Sequence, residues 1–450
     1  MQLKKPPGAL RFGLMAASCS LLGTTAVAQT TTDTPVDEEQ PWQFDTGLLY
    51  YKENQRRTTA AEPAVTLRKD FGEEHVFGFK FEYATLSGGS ANGALPSKKL
   101  QTFATASGVR LQNPDGSPIT YTTPSGQTVA QLRALTLFQV APGQLPTDPK
   151  FHEQRIALAG SWSQPFAGAN HINLGAELSH ELDYLSVGGS LGLSRDFNSR
   201  RTTFGFAINA ESDSVKPPGG APVPVSDYRL TAKEGSKAKS VKGGMVSLSQ
   251  LITSNWNAQL NYVLDKEHGY LTDPYKILSV LDSTGSVTDY RFENRPNSRT
   301  RKSLFLDNRI AIGRTVLDVS FRHGSDDWNV RANTIESSLR FNVYGEDIYL
   351  EPHLRWYHQS AASFYQLYVN AANALPTYAS PDTRLAEFTA KTIGVKLGFL
   401  LQDRAELTFR LEVYHQDPAV RSSPLAGLTG FDLNPSLRAI VFQVGWRHGF

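Results

Sequence analysis

Cysteine is almost absent from this sequence. The 450-residue chain contains one, Cys19, so the rest of the chain has neither a disulfide framework nor a thiolate metal site. The chain also has no large excess of charge of one sign, because its formal net charge is +2. A net charge of that size does not indicate a nucleic-acid partner. After the N-terminal segment there is no run of about 18 apolar residues, which excludes a transmembrane helix.

The N-terminus has the pattern of a secretory signal peptide. Three basic residues flank the start of an apolar stretch, FGLMAASCSLLGTTAVA, that ends on a small-residue cleavage site. We expect residues 1–28 to be removed after Ala28, with a lipoprotein cleavage at Cys19 disfavoured by the short apolar run before it. Residues 29–41 are polar and unpatterned, which is typical of a disordered periplasmic lead-in.

The remaining chain repeats a strict two-residue alternation. The last residues, AIVFQVGWRHGF, place Ile440, Phe442, Val444 and Trp446 on one side and polar or small residues on the other. FGFKFEY and AELTFRLEVY alternate in the same way. A period of two over roughly 10 residues indicates a β-strand with two different faces.

Sixteen such segments are predicted. They lie near 42–53, 61–70, 75–86, 152–163, 171–182, 184–195, 201–212, 240–251, 255–267, 299–312, 314–323, 328–341, 347–358, 386–399, 404–415 and 436–450. Most of the connections between them are short at one end, as in TSN, GR and QDR, and long at the other. This pattern favours an all-β transmembrane antiparallel barrel of the bacterial outer membrane over a soluble sandwich, because only a closed sheet satisfies its backbone groups in lipid.

Aromatic residues near strand ends predict contacts with the membrane interface. Indole prefers the headgroup level, so tryptophans at both ends of the strands would form two girdles. The predicted interface residues are Trp42, Trp162, Trp256, Trp328, Trp356, Trp446 and Phe450. The final strand, which ends on Phe450, resembles the signature by which such barrels are handed to the outer-membrane assembly machinery.

Strand parity places charged side chains of both signs on the inner face. Two interpretations stay open: a solvated wall of paired charges, or a selective path with acidic and basic ladders. The predicted lumen-lining residues are Asp307, Arg309, Arg322, Glu336, Arg340, Glu351, Arg355, Lys396, Arg410 and Arg447. Sixteen strands enclose a water-filled channel unless a segment plugs it, and the insertion at 87–151 is either a surface loop or an in-folded constriction.

Tyrosines and arginines gather in the long connections. Tyr270, Tyr275, Arg295 and Arg299 are predicted at the extracellular mouth. They would form a recognition surface there, or would pack the loops against one another. No histidine spacing or nucleophile motif indicates a metal site, a cofactor or a catalytic residue, so the sequence does not predict an enzyme.

Several long motifs resemble a known bacterial family. Among them are SGGSANGALPSKKLQTF, NYVLDKEHGYLTDPYKILSVLD, DDWNVRANTIE and LPTYASPDTRLAEFTAKTIGVKLG. They are similar to the domain of unknown function 3570 family of outer-membrane proteins, and occur in the same order. The resemblance implies a barrel and brings no established activity, so it transfers no catalytic residue.

Two functions are compatible with these features. The first is a porin-like conduit for small polar solutes. The second is a plugged barrel that acts as a docking or export scaffold for a periplasmic or surface partner. In both cases we expect the lipid bilayer to surround the barrel, and we expect no nucleic-acid partner.

Overall fold

The fold is a closed antiparallel β-barrel of sixteen strands. The computed structural model describes residues 42–55, 57–105, 120–122, 128–130, 137–228, 233–401 and 405–449. The predicted signal peptide, the lead-in at 29–41 and Phe450 lie outside these residues. Among the described residues, no helix has the length and hydropathy needed to cross a bilayer.

We number the barrel strands in chain order. They are β1 (Gln43–Glu53), β2 (Thr58–Asp70), β3 (Val76–Ala91), β4 (Thr147–Phe166), β5 (Asn170–Glu181), β6 (Tyr184–Phe197), β7 (Thr202–Val215), β8 (Lys237–Thr253), β9 (Trp256–Gly269), β10 (Ser298–Ile312), β11 (Thr315–Asp326), β12 (Arg331–Tyr344), β13 (Ile348–Gln359), β14 (Phe388–Leu400), β15 (Glu406–Pro418) and β16 (Leu437–Gly449). The predicted strand number and fold class are confirmed.

Pairing between the first and last strands closes the sheet. β1 and β16 are antiparallel, with a register that runs from Gln43 opposite Gly449 to Glu53 opposite Ala439. Closure removes the free edges, so every strand has two neighbours and no row of backbone donors faces lipid. β1 begins and β16 ends on the side of the short turns, which is the periplasmic side of a bacterial barrel.

The two faces of the strands have opposite chemistry. On β9, Leu260 and Tyr262 are 41% and 45% exposed on the outer face, whereas the neighbouring Gln259 and Asn261 are 6% and 7% exposed on the inner face. A soluble sheet would bury the apolar face, so this inversion requires an apolar solvent outside the barrel. The outer face is suited to lipid, and the chain is an outer-membrane barrel.

The strands on either side of the long insertion extend further than the sequence predicts. Ser90 pairs with Asp148 and Ala91 with Thr147, so the connection is 92–146 rather than 87–151. The predicted strand boundaries fell short because the alternation of apolar residues stops where the sheet leaves the membrane, while backbone pairing continues. The NPDG turn predicted within this insertion lies outside the described residues.

The long connections fold together into a body that we call the cap. It comprises the described residues of the loops 92–146, 216–236, 270–297, 360–387 and 419–436. Its small sheets are formed by Ile277–Leu281 between Val287–Phe292 and Tyr368–Asn370, by Gln101–Ala104 with Leu137–Val140, by Thr120–Thr122 with Thr128–Ala130, and by Ala221–Pro222 with Lys233–Glu234. Two 3-10 turns, Thr383–Leu385 and Ala426–Leu428, complete it.

Candidate functional site: the lumen and its cap

The cap lies over the mouth of the barrel. One of its apolar cores contains Leu95, Leu281, Leu428 and Leu433, with Leu367 packed against them. These residues belong to loops that leave the barrel after β3, β9, β13 and β15, which are distributed around the ring. Loops from several sides of a ring share one core only if that core lies over the opening.

The loop 270–297 supplies the centre of the cap. All five residues of its strand Ile277–Leu281 are buried. On one side this strand pairs antiparallel within its own loop, and on the other it pairs parallel with Tyr368–Asn370 from the next long loop. The backbone of Leu95 also donates to the Ser279 hydroxyl at 3.0 Å, so three loops are joined through one short strand.

A buried ion cluster joins the loops 270–297 and 360–387. Arg295 lies 2.8 Å from Asp382 and 2.6 Å from Glu293. Arg384 contacts Asp382 through its Nε at 2.7 Å and Asp273 at 2.8 Å. We call these five residues the latch. Removal of one charge would leave its partners buried and unpaired, which costs more free energy than an exposed ion pair contributes.

The latch carboxylates have different protonation properties. Burial alone would raise the pKa of Asp382, but Arg384, Lys276 and Arg295 oppose it and hold that pKa well below the usual range. For Glu293, burial is the largest effect and raises its pKa, while Arg295 acts in the opposite direction. Asp382 is therefore the latch carboxylate that the surrounding cations keep ionised.

The residues predicted at the extracellular mouth lie inside the cap and its base. Arg295 belongs to the latch, and Arg299 pairs with Asp326 beneath the ring of Trp328. Tyr275 donates a hydrogen bond to Asp183 at the barrel rim, and the hydroxyl of Tyr270 is buried without a hydrogen-bond partner among the described residues. Packing of the loops, rather than an exposed recognition surface, accounts for these positions.

Trp328 is a correction to the predicted aromatic girdles. It is 4% exposed and packs on Phe364, Leu385 and Ala362 within the cap. Its indole nitrogen donates to the carbonyl of Ser298 at 2.9 Å. The prediction was wrong because the tryptophan comes just after β11, where a turn carries its ring over the mouth instead of toward lipid.

The other tryptophans lie near strand ends. Trp42 packs edge-on against Phe77, Trp162 packs against Phe71, and Trp446 packs against Phe44 on the periplasmic side. Trp256 and Trp356 are each 38% exposed, at opposite ends of their strands. These positions are those expected of interface residues.

Seven of the ten predicted lumen residues form one charged network on β12–β16. Glu351 lies 2.6 Å from Lys396 and 3.5 Å from Arg410. His353 contacts Glu336 and Glu412 at 3.0 Å each, one through each ring nitrogen, an arrangement in which both nitrogens donate only if the ring is an imidazolium. The members of the network are Glu336, Arg340, Glu351, His353, Arg355, Lys396, Glu406, Arg410, Glu412 and Arg447, with Asp45 from β1 and Tyr349 between them.

The other three predicted residues lie on the neighbouring wall. Arg309 is 3.2 Å from Asp318, Arg322 lies over the ring of Phe305, and Asp307 is opposite Ser320 in the register. The side chains of Arg309 and Arg447 are 55% and 54% exposed although they point inward. Both lie near the periplasmic ends of their strands, so water reaches the lumen from that side.

The cap meets the charged wall at the outer end of β13. Gln359, the last residue of that strand, donates to the carbonyls of Arg384 at 3.0 Å and Ala386 at 2.8 Å. The outer end of the charged wall is thus bonded directly to the segment of the cap that carries Arg384 of the latch. The lumen has a solvated side, and the cap closes over it.

Three carboxylates at the rim of the opposite wall were not predicted from the sequence. Glu153, Glu181 and Asp183 bring oxygens within 4.8 Å of one another at the rim. They come from β4, β5 and the following turn, so no local spacing connects them. No histidine belongs to this group, so the spacing of histidines does not indicate it.

The sequence of this barrel matches a known protein family. The sequence model of the family described as "Protein of unknown function (DUF3570)" matches residues 12–448. The chain belongs to the DUF3570 family. The family resemblance noted in the sequence motifs is confirmed over nearly the full length. No curated protein matches the sequence of this DUF3570 member.

Solved structures that are similar to this DUF3570 barrel have low sequence identity with it. A bacterial polysaccharide outer membrane secretin has 7% identity and a TM-score of 0.43, with 92% of this chain and 100% of that chain covered. The outer membrane protein opdK from Pseudomonas aeruginosa has 10% identity and a TM-score of 0.39, with 91% and 99% covered. The siderophore receptor PirA from Pseudomonas aeruginosa has 9% identity and a TM-score of 0.39, with 90% of this chain but only 61% of that receptor covered.

Proposed function

We propose that the protein is an outer-membrane conduit for small polar solutes whose outer entrance is closed by the cap. The observation that carries the proposal is the charged wall of β10–β16, which is water-accessible at mid-strand and is bonded to the cap at its outer end. A structural role alone does not require inward charged side chains that stay water-accessible away from the strand ends, such as Glu336 at 41% and Arg355 at 34% exposure. Charged rings and ladders of this kind set the preference of a pore for solutes.

The proposal includes a movement of the cap. Solutes that reach the lumen from outside must pass between loops that share buried cores and the latch. Loop rearrangements of this kind occur on microsecond to millisecond timescales. We therefore expect conductance that switches between closed and open levels rather than a permanently open pore.

A disulfide across the cap tests this movement. Asn294 and Ala379 exchange two backbone hydrogen bonds of 3.0 Å between the loops 270–297 and 360–387. Such a pair has Cα atoms about 5.5 Å apart, which is within the range that a disulfide spans. The one native cysteine lies in the predicted signal peptide, so the doubly substituted Asn294→Cys/Ala379→Cys protein carries a single defined cross-link.

Single-channel conductance in planar bilayers is the measurement. We expect openings in the native protein, few openings in the oxidised double variant, and recovery when the disulfide is reduced. Each single-cysteine variant should behave as the native protein under both conditions. Unchanged openings in the oxidised protein would show that the two loops do not separate during conduction.

The second candidate is a plugged barrel that serves as a docking or export scaffold. The apolar core shared by four loops favours it, because a mouth closed this extensively is compatible with a barrel through which no solute passes. Silence of the native protein and of a latch variant such as Asp382→Asn in bilayers would remove the conduit proposal. That result would leave the scaffold, which predicts a partner recovered at a fixed ratio from the membrane.

A further inference from the structure

The inner wall of β5–β9 carries a set of carboxylates that we call the acidic strip. Cross-strand pairing places Glu177 and Glu211 on either side of Gly188, and Asn209 and Asp265 on either side of Gly243. Glu211 is 4% exposed and Asp265 is 6% exposed. The strip consists of Glu177, Glu211, Asp213, Asp265 and Glu267.

Nearby cations are engaged by only part of the strip. Lys239 lies 3.5 Å from Asp213 and 3.9 Å from Glu267, and Arg301 also contacts Glu267. Within the described part of the chain, Glu177, Glu211 and Asp265 have no cationic side chain within 4.0 Å. Three carboxylates are thus left without ion-pair partners on one wall.

The carboxylates without ion pairs also have buried oxygens that accept no hydrogen bond. Oε2 of Glu177, Oε2 of Glu211 and Oδ1 of Asp265 are all of this kind among the described residues. A buried carboxylate oxygen without a donor is costly, because it has lost water and gained nothing in exchange. The strip therefore has unfilled capacity to bind a cation.

Two glycines allow these side chains to approach one another across a strand. A Cβ on Gly243 would lie at 2.6 Å or less from both Oδ1 of Asn209 and Oδ1 of Asp265. A Cβ on Gly188 would meet Oε1 of Glu177 at 2.6 Å and Cγ of Glu211 at 2.9 Å. The oxygens of Asn209 and Asp265 thus converge above Gly243, and Glu177 and Glu211 meet above Gly188.

The amide of Asn209 is oriented to contribute its oxygen. Its Nδ2 lies 3.5 Å from Oε1 of Glu211 and faces that carboxylate. Its Oδ1 is consequently directed to the space above Gly243, where Asp265 also points. Carboxylate and amide oxygens in a flexible arrangement are the ligands that Ca²⁺ takes in proteins.

We propose that the acidic strip binds a divalent, oxygen-coordinated metal cation through Asp265 and Asn209 above Gly243, with Glu211, which faces the amide of Asn209, as the adjoining carboxylate. Two positive charges offset most of the charge of the three carboxylates without ion pairs. A monovalent amine would leave more of that charge uncompensated. The site is separate from the charged network on β12–β16 and does not depend on conduction through the lumen.

Calorimetric titration of the chelator-treated, detergent-solubilised protein with CaCl₂ tests this site. We expect saturable binding in the native protein and at least about a tenfold loss of affinity in Asp265→Asn and in Glu211→Gln. Glu346→Gln is the matched control, since Glu346 is an exposed residue of a periplasmic turn whose side chain is 76% exposed. Circular dichroism establishes that each variant keeps its strand content.

A second variant tests the geometry without removing charge. Gly243→Ala places a methyl group where the two oxygens converge, and should weaken Ca²⁺ binding while Gly160→Ala, which meets nothing within 4 Å, should not. Absence of saturable binding in the native protein would overturn the proposal. Equal affinity in the native protein, Asp265→Asn and Glu211→Gln would also overturn it and would direct attention to the rim carboxylates.

Discussion

A missing side chain shapes the periplasmic end of the charged network. Gly398 on β14 faces Tyr349 on β13, and a Cβ there would lie at 2.6 Å or less from Cζ, Cε1 and Oη of that ring. Tyr349 is 1% exposed, donates to Glu406 at 2.6 Å and lies under the guanidinium of Arg340. The glycine therefore allows a tyrosine to lie flat against the wall and to orient two charged groups.

Substitution of this glycine should destabilise the barrel. We expect Gly398→Ala to lower the free energy of unfolding by about 1–3 kcal/mol, because the methyl group forces the buried ring from its place. Urea unfolding in detergent, compared with Gly160→Ala as a change with open space around it, is the measurement. Equal stability of the two variants would show that Tyr349 moves without cost.

At the scale of a strand, the two faces are under different constraints. On β11, Val319 faces lipid, while Ser320 faces the lumen between Asp307 on β10 and Glu336 on β12. The same side chain placed at these neighbouring positions therefore meets hydrocarbon in one case and two carboxylates in the other. Strand parity alone decides which of the two environments applies.

An arginine placed on each face tests this assignment. Val319→Arg should lower the free energy of unfolding by about 2–4 kcal/mol near the bilayer midplane, as measured by urea unfolding in lipid vesicles. Ser320→Arg should change it by less than about 1 kcal/mol, because carboxylates and water receive the charge. A similar loss in both variants would mean that the assigned faces are wrong.

At the scale of the whole molecule, the protein has a barrel and a separate buried region in the cap. The barrel is held by continuous strand pairing, whereas the cap depends on apolar cores and the latch between loops. Regions with fewer backbone pairings open at lower free energy than a closed sheet. We therefore expect the cap to open while the barrel stays intact.

Asp382 should control this local opening. Asp382→Asn removes the carboxylate that Arg295 and Arg384 share, and leaves both guanidinium groups buried, at a cost of about 3–5 kcal/mol. Hydrogen exchange of the amides in Ile277–Leu281 should become faster at pH 7, and exchange in β1–β16 should not change. Faster exchange throughout the barrel would contradict a separate cap.

The pH dependence of this difference follows from the depressed pKa of Asp382. A carboxyl whose folded pKa is lowered stabilises the fold fully above its ordinary pKa of 3.8 and loses that effect as the pH falls through the folded value. The native protein and Asp382→Asn should therefore differ at every pH above about 4. Their exchange rates should converge only under more acidic conditions.

The barrel follows from local features of the sequence. Alternation of apolar and polar residues, as in the stretches around Phe409 and Phe442, indicates strands because side chains point to opposite faces at a period of two. The number of strands, the side of the termini and the parity of Lys396 or Arg410 follow from that local rule together with the lengths of the turns. Alternation and turn length are local features that recur along the chain, so these properties can be predicted without knowledge of distant contacts.

The roles of the long loops and of the opposite carboxylates depend on contacts between distant segments. Trp328, Arg295 and Tyr275 lie in segments without periodicity, and their partners Phe364, Asp382 and Asp183 are far away in the sequence. The convergence of Asp265 and Asn209 above Gly243 likewise depends on the register of three strands. Contacts of this kind arise from closure of the ring, which brings distant segments together and leaves no local pattern in the sequence.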